Sequence, residues 1–220
     1  MPGMPRRVVR FIYLLLVHPL VVRVIHPIRR KLSGLPTEAM KAETVIRSGQ
    51  GIPTLVETGT YHGATVAACL GHFGRIYTIE LDGALYEAAR IRFADEPSVT
   101  VIQGDSSTEL GRLAALVDGS ALFWLDAHYS YGETAKGPHD PPLPWELRAI
   151  LDRGEPDVIM IDDARHMGVL PDYPSIDEIR QLVGDRASSF EMENDIIRIM
   201  LTSSGSEAGM HPTTRAGTRG

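Results

Sequence analysis

The stretch that decides the fold is Leu55-Val56-Glu57-Thr58-Gly59-Thr60-Tyr61-His62-Gly63-Ala64-Thr65. A short apolar run ends at Glu57. The loop that follows contains two glycines, Gly59 and Gly63, that stand four residues apart. An apolar run, a glycine loop and a segment of helical periodicity predict a buried strand, a sharp turn and a helix. In a parallel sheet covered by helices, such a turn lies at the carboxyl edge, where ligands bind.

The same strand, turn and helix pattern continues on both sides of this stretch. Continuous apolar strands alternating with amphipathic helices are typical of a parallel sheet covered on both faces. Strands are predicted at 54–57, 75–80, 99–103, 121–126 and 157–162, and helices at 36–48, 63–72, 83–94, 106–116, 144–151 and 175–183. Two last strands, at 188–193 and 196–201, are separated by only two residues and predict a tight hairpin. The sequence therefore predicts an α/β fold with a Rossmann-like, doubly wound, mostly parallel sheet of seven strands that ends in an antiparallel hairpin.

Length and composition predict one globular domain with two extensions. The 220 residues are 43% hydrophobic and 23% charged, which is ordinary for a globular protein with one sizeable core. We expect a basic, apolar arm at 1–35, the α/β domain at 36–202, and a disordered Ser/Gly/Thr-rich tail at 203–220. Cys69 is the only cysteine, so no intrachain disulfide can form and a cytoplasmic location is expected.

Charge is distributed unevenly along the chain. Seven of the 22 basic residues precede the first acidic residue, Glu38, although the formal net charge is −6. The remainder is strongly acidic and does not suit a nucleic-acid backbone, so we expect no nucleic-acid partner. The apolar run 11–22 of the arm contains Pro19 and is shorter than the roughly 20 residues of a spanning helix. Two interpretations remain, a peripheral helix at the inner membrane face and a helix packed on the domain itself.

A carboxylate at the end of the second predicted strand indicates a nucleoside ligand. Glu80 stands 21 residues after Gly59, where an acid binds the paired hydroxyls of a ribose. A dinucleotide fingerprint needs G-x-G-x-x-G, but the middle glycine is here Tyr61, which would obstruct a pyrophosphate. Glu57 beside the turn suits a cationic amino group better than a pyrophosphate.

These motifs resemble those of the class I methyltransferases that use S-adenosylmethionine. The resemblance rests on E-x-G-x-x-x-G, on the acid that closes the second strand, on Gln103-Gly104-Asp105 after the third, and on the terminal hairpin. It implies that Glu57, Gly59 and Gly63 hold the methionine part of the cofactor, that Glu80 binds the ribose, and that Asp105 and Ser106 flank the adenine. Tyr61 belongs to the same cofactor-binding set and departs from the family pattern, which often has a glycine at this position.

Acidic residues after the fourth and fifth strands form a second constellation. Asp126 follows one strand and the pair Asp162 and Asp163 follows its expected neighbour, so the three carboxylates should meet at the carboxyl edge. Crowded carboxylates repel one another unless a cation neutralises them, and their oxygens suit Mg²⁺ or another hard divalent ion. The pattern resembles the metal-dependent O-methyltransferases. The candidates for the base that accepts the acceptor's proton are His128 and His166.

The predicted activity is methyl transfer to a hydroxyl of a small molecule or sugar, with divalent-ion assistance. Two other functions remain open: an NAD-type oxidoreductase on the same sheet, and a non-catalytic Rossmann-like subunit tethered through the arm. The methyl acceptor, small molecule or glycan, and the oligomeric state are not determined by the sequence.

We expect the arm to mediate salt-sensitive binding to anionic vesicles. Each basic residue near such a surface contributes about 1 kcal/mol, and an apolar helix face would add to this. The measurement is co-sedimentation of the full chain and of a chain that starts at Leu35, at low and high salt. Equal sedimentation of the two at low salt would contradict the membrane interpretation.

Overall fold

A computed structural model of the chain describes residues 35–127, 141–170 and 173–204. Almost all of the basic arm, the segment 128–140 and all but the first residues of the tail lie outside the described residues, so the predictions made for them stay predictions. Within the described residues, no helix combines the length and apolar character that crossing a membrane requires.

Strands and helices alternate through most of the described chain. The helices are α1 (Glu38–Ser48), α2 (Ala64–Cys69), α3 (Gly83–Arg92), α4 (Ser106–Ala114), α5 (Leu143–Leu151) and α6 (Ile176–Val183). The strands are β1 (Thr54–Thr58), β2 (Arg75–Glu80), β3 (Val99–Gln103), β4 (Ala121–Leu125), β5 (Val158–Ile161), β6 (Ala187–Glu193) and β7 (Ile196–Leu201). Two short 3₁₀ helices, Ala164–His166 and Gly184–Arg186, complete the described elements.

The described strands form one seven-stranded sheet in the order β3-β2-β1-β4-β5-β7-β6. Strands β1 to β5 are parallel, whereas β7 runs antiparallel to both β5 and β6. The turn between β6 and β7 uses Asn194 and Asp195, both with positive φ, as the tight-hairpin prediction requires. The predicted doubly wound sheet with an antiparallel hairpin is confirmed.

Helices cover both faces of the sheet because the central strands are buried on both sides. All residues of β1, β4 and β5 are buried, and their side chains alternate between two hydrophobic clusters. One cluster contains Val56, Phe123 and Ile159 and packs against α4, α5 and α6. The other contains Leu55 and Trp124 and packs against α1, α2 and α3. The carboxyl ends of β1, β4 and β5 therefore open at one edge between two helical layers.

Helix α1 differs from its prediction in one informative way. The apolar positions predict a helix over 36–48, and the helix begins at Glu38 with Thr37 as its N-cap. Ala39 is exposed, whereas Lys41 is 2% exposed and lies on the face that packs against the sheet. A lysine therefore occupies a core-facing position of this helix.

A buried arginine ties the amino ends of β4 and β5 to the loop that leads from α4 into β4. Arg153 donates through Nε to Asp157 at 2.8 Å, and through its terminal nitrogens to the carbonyls of Val117 (2.8 Å) and Gly119 (2.6 Å). The other carboxylate oxygen of Asp157 accepts the Ala121 amide at 2.8 Å. Burial raises the pKa of Asp157, and the Arg153 hydrogen bond opposes that rise. The pair joins three segments at the edge opposite the candidate site.

Arg153→Met should lower the free energy of unfolding by about 3–5 kcal/mol, because it leaves a buried carboxylate without its cation. Urea denaturation of the two proteins measures the difference. Arg112→Met is the matched control, since Arg112 is 70% exposed in its pair with Glu109 and should change stability by at most about 1 kcal/mol. Equal effects of the two substitutions would contradict the role assigned to Arg153.

Candidate functional site

Three strand ends lie side by side at the carboxyl edge of the sheet. Thr58 pairs with Leu125 in the parallel register, and the Asp126 amide donates to the Thr58 carbonyl at 3.0 Å. The Asp162 amide donates in turn to the Leu125 carbonyl at 3.1 Å. The backbone therefore aligns Gly59, Asp126 and Asp162 on three neighbouring strands, about 5 Å apart from strand to strand. The predicted meeting of these residues at one edge follows from this register.

The two glycines of the first loop are required by backbone geometry. Gly59 has φ 84°, and a Cβ on it would lie 2.5 Å from the Asp126 carbonyl oxygen. Gly63 has φ 70°, and a Cβ there would lie 2.7 Å from the Phe93 ring. Only glycine adopts such angles without strain and permits such approaches. Phe93 fills the space beside the α-carbon of Gly63, on the side that a Cβ would occupy.

Glu57 is a buried carboxyl group beneath this loop. It is 2% exposed, and the Thr78 hydroxyl donates to its Oε2 at 2.6 Å. Burial raises its pKa to about 8; hydrogen bonds from Thr78 and Thr65 oppose the rise, and nearby Glu80 adds to it. Without a ligand, Glu57 is therefore mostly protonated at pH 7. A cationic group placed beside it would favour the ionised form.

Glu80 ends β2 and holds the glycine loop. Its Oε2 accepts the Tyr61 amide at 2.8 Å and its Oε1 accepts the Asp82 amide at 2.9 Å. Burial raises its pKa, and these two amides oppose the rise. A carboxylate oxygen can accept two hydrogen bonds, so each oxygen of Glu80 keeps capacity for a ligand hydroxyl.

Asp105 lies at the corresponding point after β3. It is the N-cap of α4, and its Oδ1 accepts the Ser107 amide at 2.8 Å. Its buried Oδ2 accepts no hydrogen bond from the described residues, and the adjacent Ser106 is 7% exposed. A buried acceptor without a donor costs free energy, so this oxygen suits the amino group of a bound base.

Tyr61 stands where a dinucleotide fingerprint needs its middle glycine. It has φ 48°, an uncommon conformation for a bulky residue, and its side chain is 39% exposed. Its ring lies 3.9 Å from that of His62, centroid to centroid. The loop thus carries two adjacent rings at the position that a pyrophosphate would approach.

Lys41 also belongs to this edge, and the sequence analysis did not predict it. Its ammonium forms an ion pair with Asp162 Oδ2, and it lies 3.6 Å from Asp163 Oδ1. The side chains of Lys41 and Asp162 are 3% and 1% exposed. The signal that could have found it is its position next to Ala42 and four residues before Val45, within the apolar face of the predicted helix.

Asp163 has a second cation beside the same oxygen. It has φ 52°, and its Oδ1 lies 2.8 Å from the Arg165 guanidinium, which also forms an ion pair with Asp195. The Arg165 backbone amide donates to Asp195 Oδ1 at 2.8 Å, so the hairpin turn between β6 and β7 is tied to this segment.

The carboxylates predicted to bind a metal ion do not form a metal-binding donor set in the described structure. The described residues contain no group of three or more His, Cys, Asp or Glu side chains arranged to hold an ion. Of the predicted ligands Asp126, Asp162 and Asp163, the last two already have Lys41 and Arg165 as cationic partners. The metal prediction stays a prediction, and the arrangement does not support it.

The structure describes one of the two candidate bases, His166. His166 ends the first 3₁₀ helix, with Nδ1 3.6 Å from Asp163 Oδ2 and its ring edge-on to Tyr173. It therefore stands beside the acidic pair, and its role as a base stays a prediction. His128 lies outside the described residues.

A groove of about 520 Å³ opens beside the acidic pair. Its walls are mainly apolar and include Met40, Met167 and Met192, with Arg165 and Asp195 as charged members. Methionine side chains adapt to irregular ligands, so this groove suits an organic molecule better than an ion.

No protein-family model matches the chain, and no curated protein matches it in sequence. Solved structures do match it in fold. An S-adenosylhomocysteine-bound methyltransferase from Podospora anserina superposes with a TM-score of 0.56 at 15% identity, covering 91% of this chain and 90% of that one. A protein from Staphylococcus aureus described as a caffeoyl-CoA O-methyltransferase gives a TM-score of 0.53 at 11% identity, covering 90% of this chain and 100% of that one.

At such identities the likeness concerns the fold. It includes 90% or more of this chain in both cases. The fold of this chain is the Rossmann-like fold of the class I methyltransferases.

Proposed function

We propose that the protein is an S-adenosylmethionine-dependent methyltransferase that acts on a hydroxyl group of a small molecule or sugar. The observation that carries the proposal is the open hydrogen-bonding capacity at the ends of β2 and β3. Glu80 accepts one described hydrogen bond on each oxygen, and Asp105 Oδ2 accepts none. Buried acceptors at consecutive strand ends match the ribose and adenine of a nucleoside.

The loop and Glu57 suit the amino-acid part of the cofactor. Gly59 and Gly63 shape the turn over which the methionine moiety would lie, and Tyr61 borders it. Glu57, buried beneath this turn, would accept the ammonium group and become ionised on binding. The cofactor supplies an activated methyl group on a sulfonium.

The protein's part in the reaction is alignment and exclusion of water. In the register, Asp126 follows β4, the neighbour of β1, and Asp162 follows β5, the next strand along. An acceptor held there would approach the cofactor from the β4 and β5 side. Alignment of two bound reactants removes much of the entropic barrier to a direct displacement. His166 beside Asp163 is a candidate to accept the hydroxyl proton, and His128 remains the second.

Two features favour this function over an NAD-type oxidoreductase. Dinucleotide-binding folds extend the sheet in the order 3-2-1-4-5-6, whereas the last strand before the edge here is antiparallel. Tyr61 and His62 also occupy the loop position that a pyrophosphate needs. The non-catalytic interpretation is weakened by the buried acceptors, because a silent subunit gains nothing from unsatisfied groups.

We also propose an organic methyl acceptor and a cytoplasmic location. The mainly apolar groove with Arg165 and Asp195 supports an organic acceptor with a polar end. The acidic domain supports the absence of a nucleic-acid substrate, and the single cysteine supports the cytoplasm. The basic arm remains a candidate for peripheral contact with the inner membrane face. An activity assay after chelation of divalent ions tests whether an ion assists the reaction.

Glu80→Gln should weaken S-adenosylhomocysteine binding by about 1–3 kcal/mol, the cost of losing charge-assisted hydrogen bonds to the ribose. Isothermal titration of the parent and the variant measures this, and NAD⁺ should give no binding to either. Glu87→Gln is the control, because Glu87 pairs with Arg90 on the exposed surface of α3. Unchanged affinity in Glu80→Gln, or preference for NAD⁺, would contradict the proposal.

Binding of S-adenosylhomocysteine at pH 7 should release a proton from Glu57. The pKa of Glu57 is about 8, so the group is protonated below that pH and must ionise to pair with the ligand's ammonium. The cost of ionisation falls as pH rises toward 8, so affinity should rise from pH 6.5 to pH 8. Titration calorimetry in buffers of different ionisation enthalpy counts the proton. Glu57→Gln should release none, and equal proton release by both proteins would rule out this role.

A further inference from the structure

The crowded acids at the carboxyl edge require a cation, and the structure contains one. Asp162 is 1% exposed, and its Oδ2 is paired with the Lys41 ammonium. The same ammonium lies 3.6 Å from Asp163 Oδ1, so it stands between the two neighbouring carboxylates. This is the side of the pair at which a bridging divalent ion would need to bind.

Lys41 lies on the packed face of α1. The lysine is 2% exposed, and its helix neighbours Ala42 and Val45 are packed in the core. An ammonium group buried in this way is stable only beside a counter-charge. A divalent ion at the same oxygens would face the charge of Lys41 at close range, and that repulsion opposes binding.

One carboxylate oxygen of Asp162 has no hydrogen-bond donor among the described residues. Asp162 Oδ1 is buried and accepts no hydrogen bond from the described residues, although Oδ2 is held by Lys41. Asp162 also lies beside Asp126 in the register of β4 and β5. The ion pair thus fixes the orientation of a carboxylate and leaves one of its oxygens without a donor.

We propose that Lys41 is a positioning residue whose ammonium takes the place of a divalent metal ion at the Asp126, Asp162 and Asp163 edge. On the proposed function, methyl transfer then proceeds without a metal, and Lys41 holds Asp162 with one oxygen open toward a polar group of the acceptor. The chain supplies from α1 the charge that an ion would otherwise supply.

The test is a titration with Mn²⁺, in which the electron paramagnetic resonance signal counts the free aqueous ion. The parent should bind no Mn²⁺ that depends on Asp162. Lys41→Met keeps the length of the side chain and removes the charge, and it should gain one site with at least tenfold higher affinity. Lys41→Met combined with Asp162→Asn should lose that site again.

Two controls separate this effect from general changes in charge. Arg47→Met removes an exposed cation from the same helix and should leave Mn²⁺ binding as in the parent. Lys41→Arg keeps the charge and should also bind no Mn²⁺. Binding of S-adenosylhomocysteine by each variant reports on the folded cofactor site, and its failure in all of them would count against the proposed function alone.

Two results would overturn the inference. One is Mn²⁺ binding by the parent that Asp162→Asn abolishes, because the ion and Lys41 would then not compete. The other is a folded Lys41→Met protein that gains no site, because the three carboxylates would then not be an ion site at all. If Lys41→Met does not fold, the parent and Asp162→Asn titrations still decide the first point.

Discussion

The close passage of Gly59 beside the Asp126 carbonyl is the constraint on which the site depends. Its backbone amide donates to Ile79 in β2, and the amide of Asp126 donates to Thr58 in β1, so the ends of three strands are fixed together. A Cβ at residue 59 would lie 2.5 Å from that carbonyl and would force β1 and β4 apart. Asp126 and Asp162 take their positions from this contact, because each stands one residue beyond a strand, β4 or β5, that is paired in register with its neighbour.

Burial gives the acidic residues of this edge different electrostatic states. Glu57, with a hydroxyl donor but no cationic partner among its described contacts, has its pKa raised to about 8. Asp162, equally buried, is paired with Lys41. The edge therefore has one carboxyl group ready to receive a cation and another that already has one, and these lie at the ends of β1 and β5. On the proposed function, this asymmetry separates the cofactor side of the edge from the acceptor side.

Much of the fold follows from local sequence pattern. β2, β3 and β7 have the predicted bounds, since each is an apolar run between turn signals, and the other elements differ from prediction by a few residues at their ends. The residues grouped at the edge were also predictable, because parallel strands end at one side. What local pattern cannot give is the partner of each group. Phe93, the C-cap of α3, fills the space beside Gly63, the N-cap of α2, although the two residues are thirty positions apart in sequence.

The partner of Asp162 is a second contact that local sequence pattern could not predict. Crowding of Asp162 and Asp163 correctly predicts a need for positive charge, but the identity of the cation depends on a helix 121 residues away in sequence. A lysine on a helix is ordinarily solvated, since burial of its charge costs free energy unless a partner waits at the buried position. Here the partner is an acid at a strand end, and neither residue would be stable there without the other. The acidic pair and the helix that precedes β1 therefore constrain each other, and the chemistry of the edge is set by how α1 packs as much as by the strands that end there.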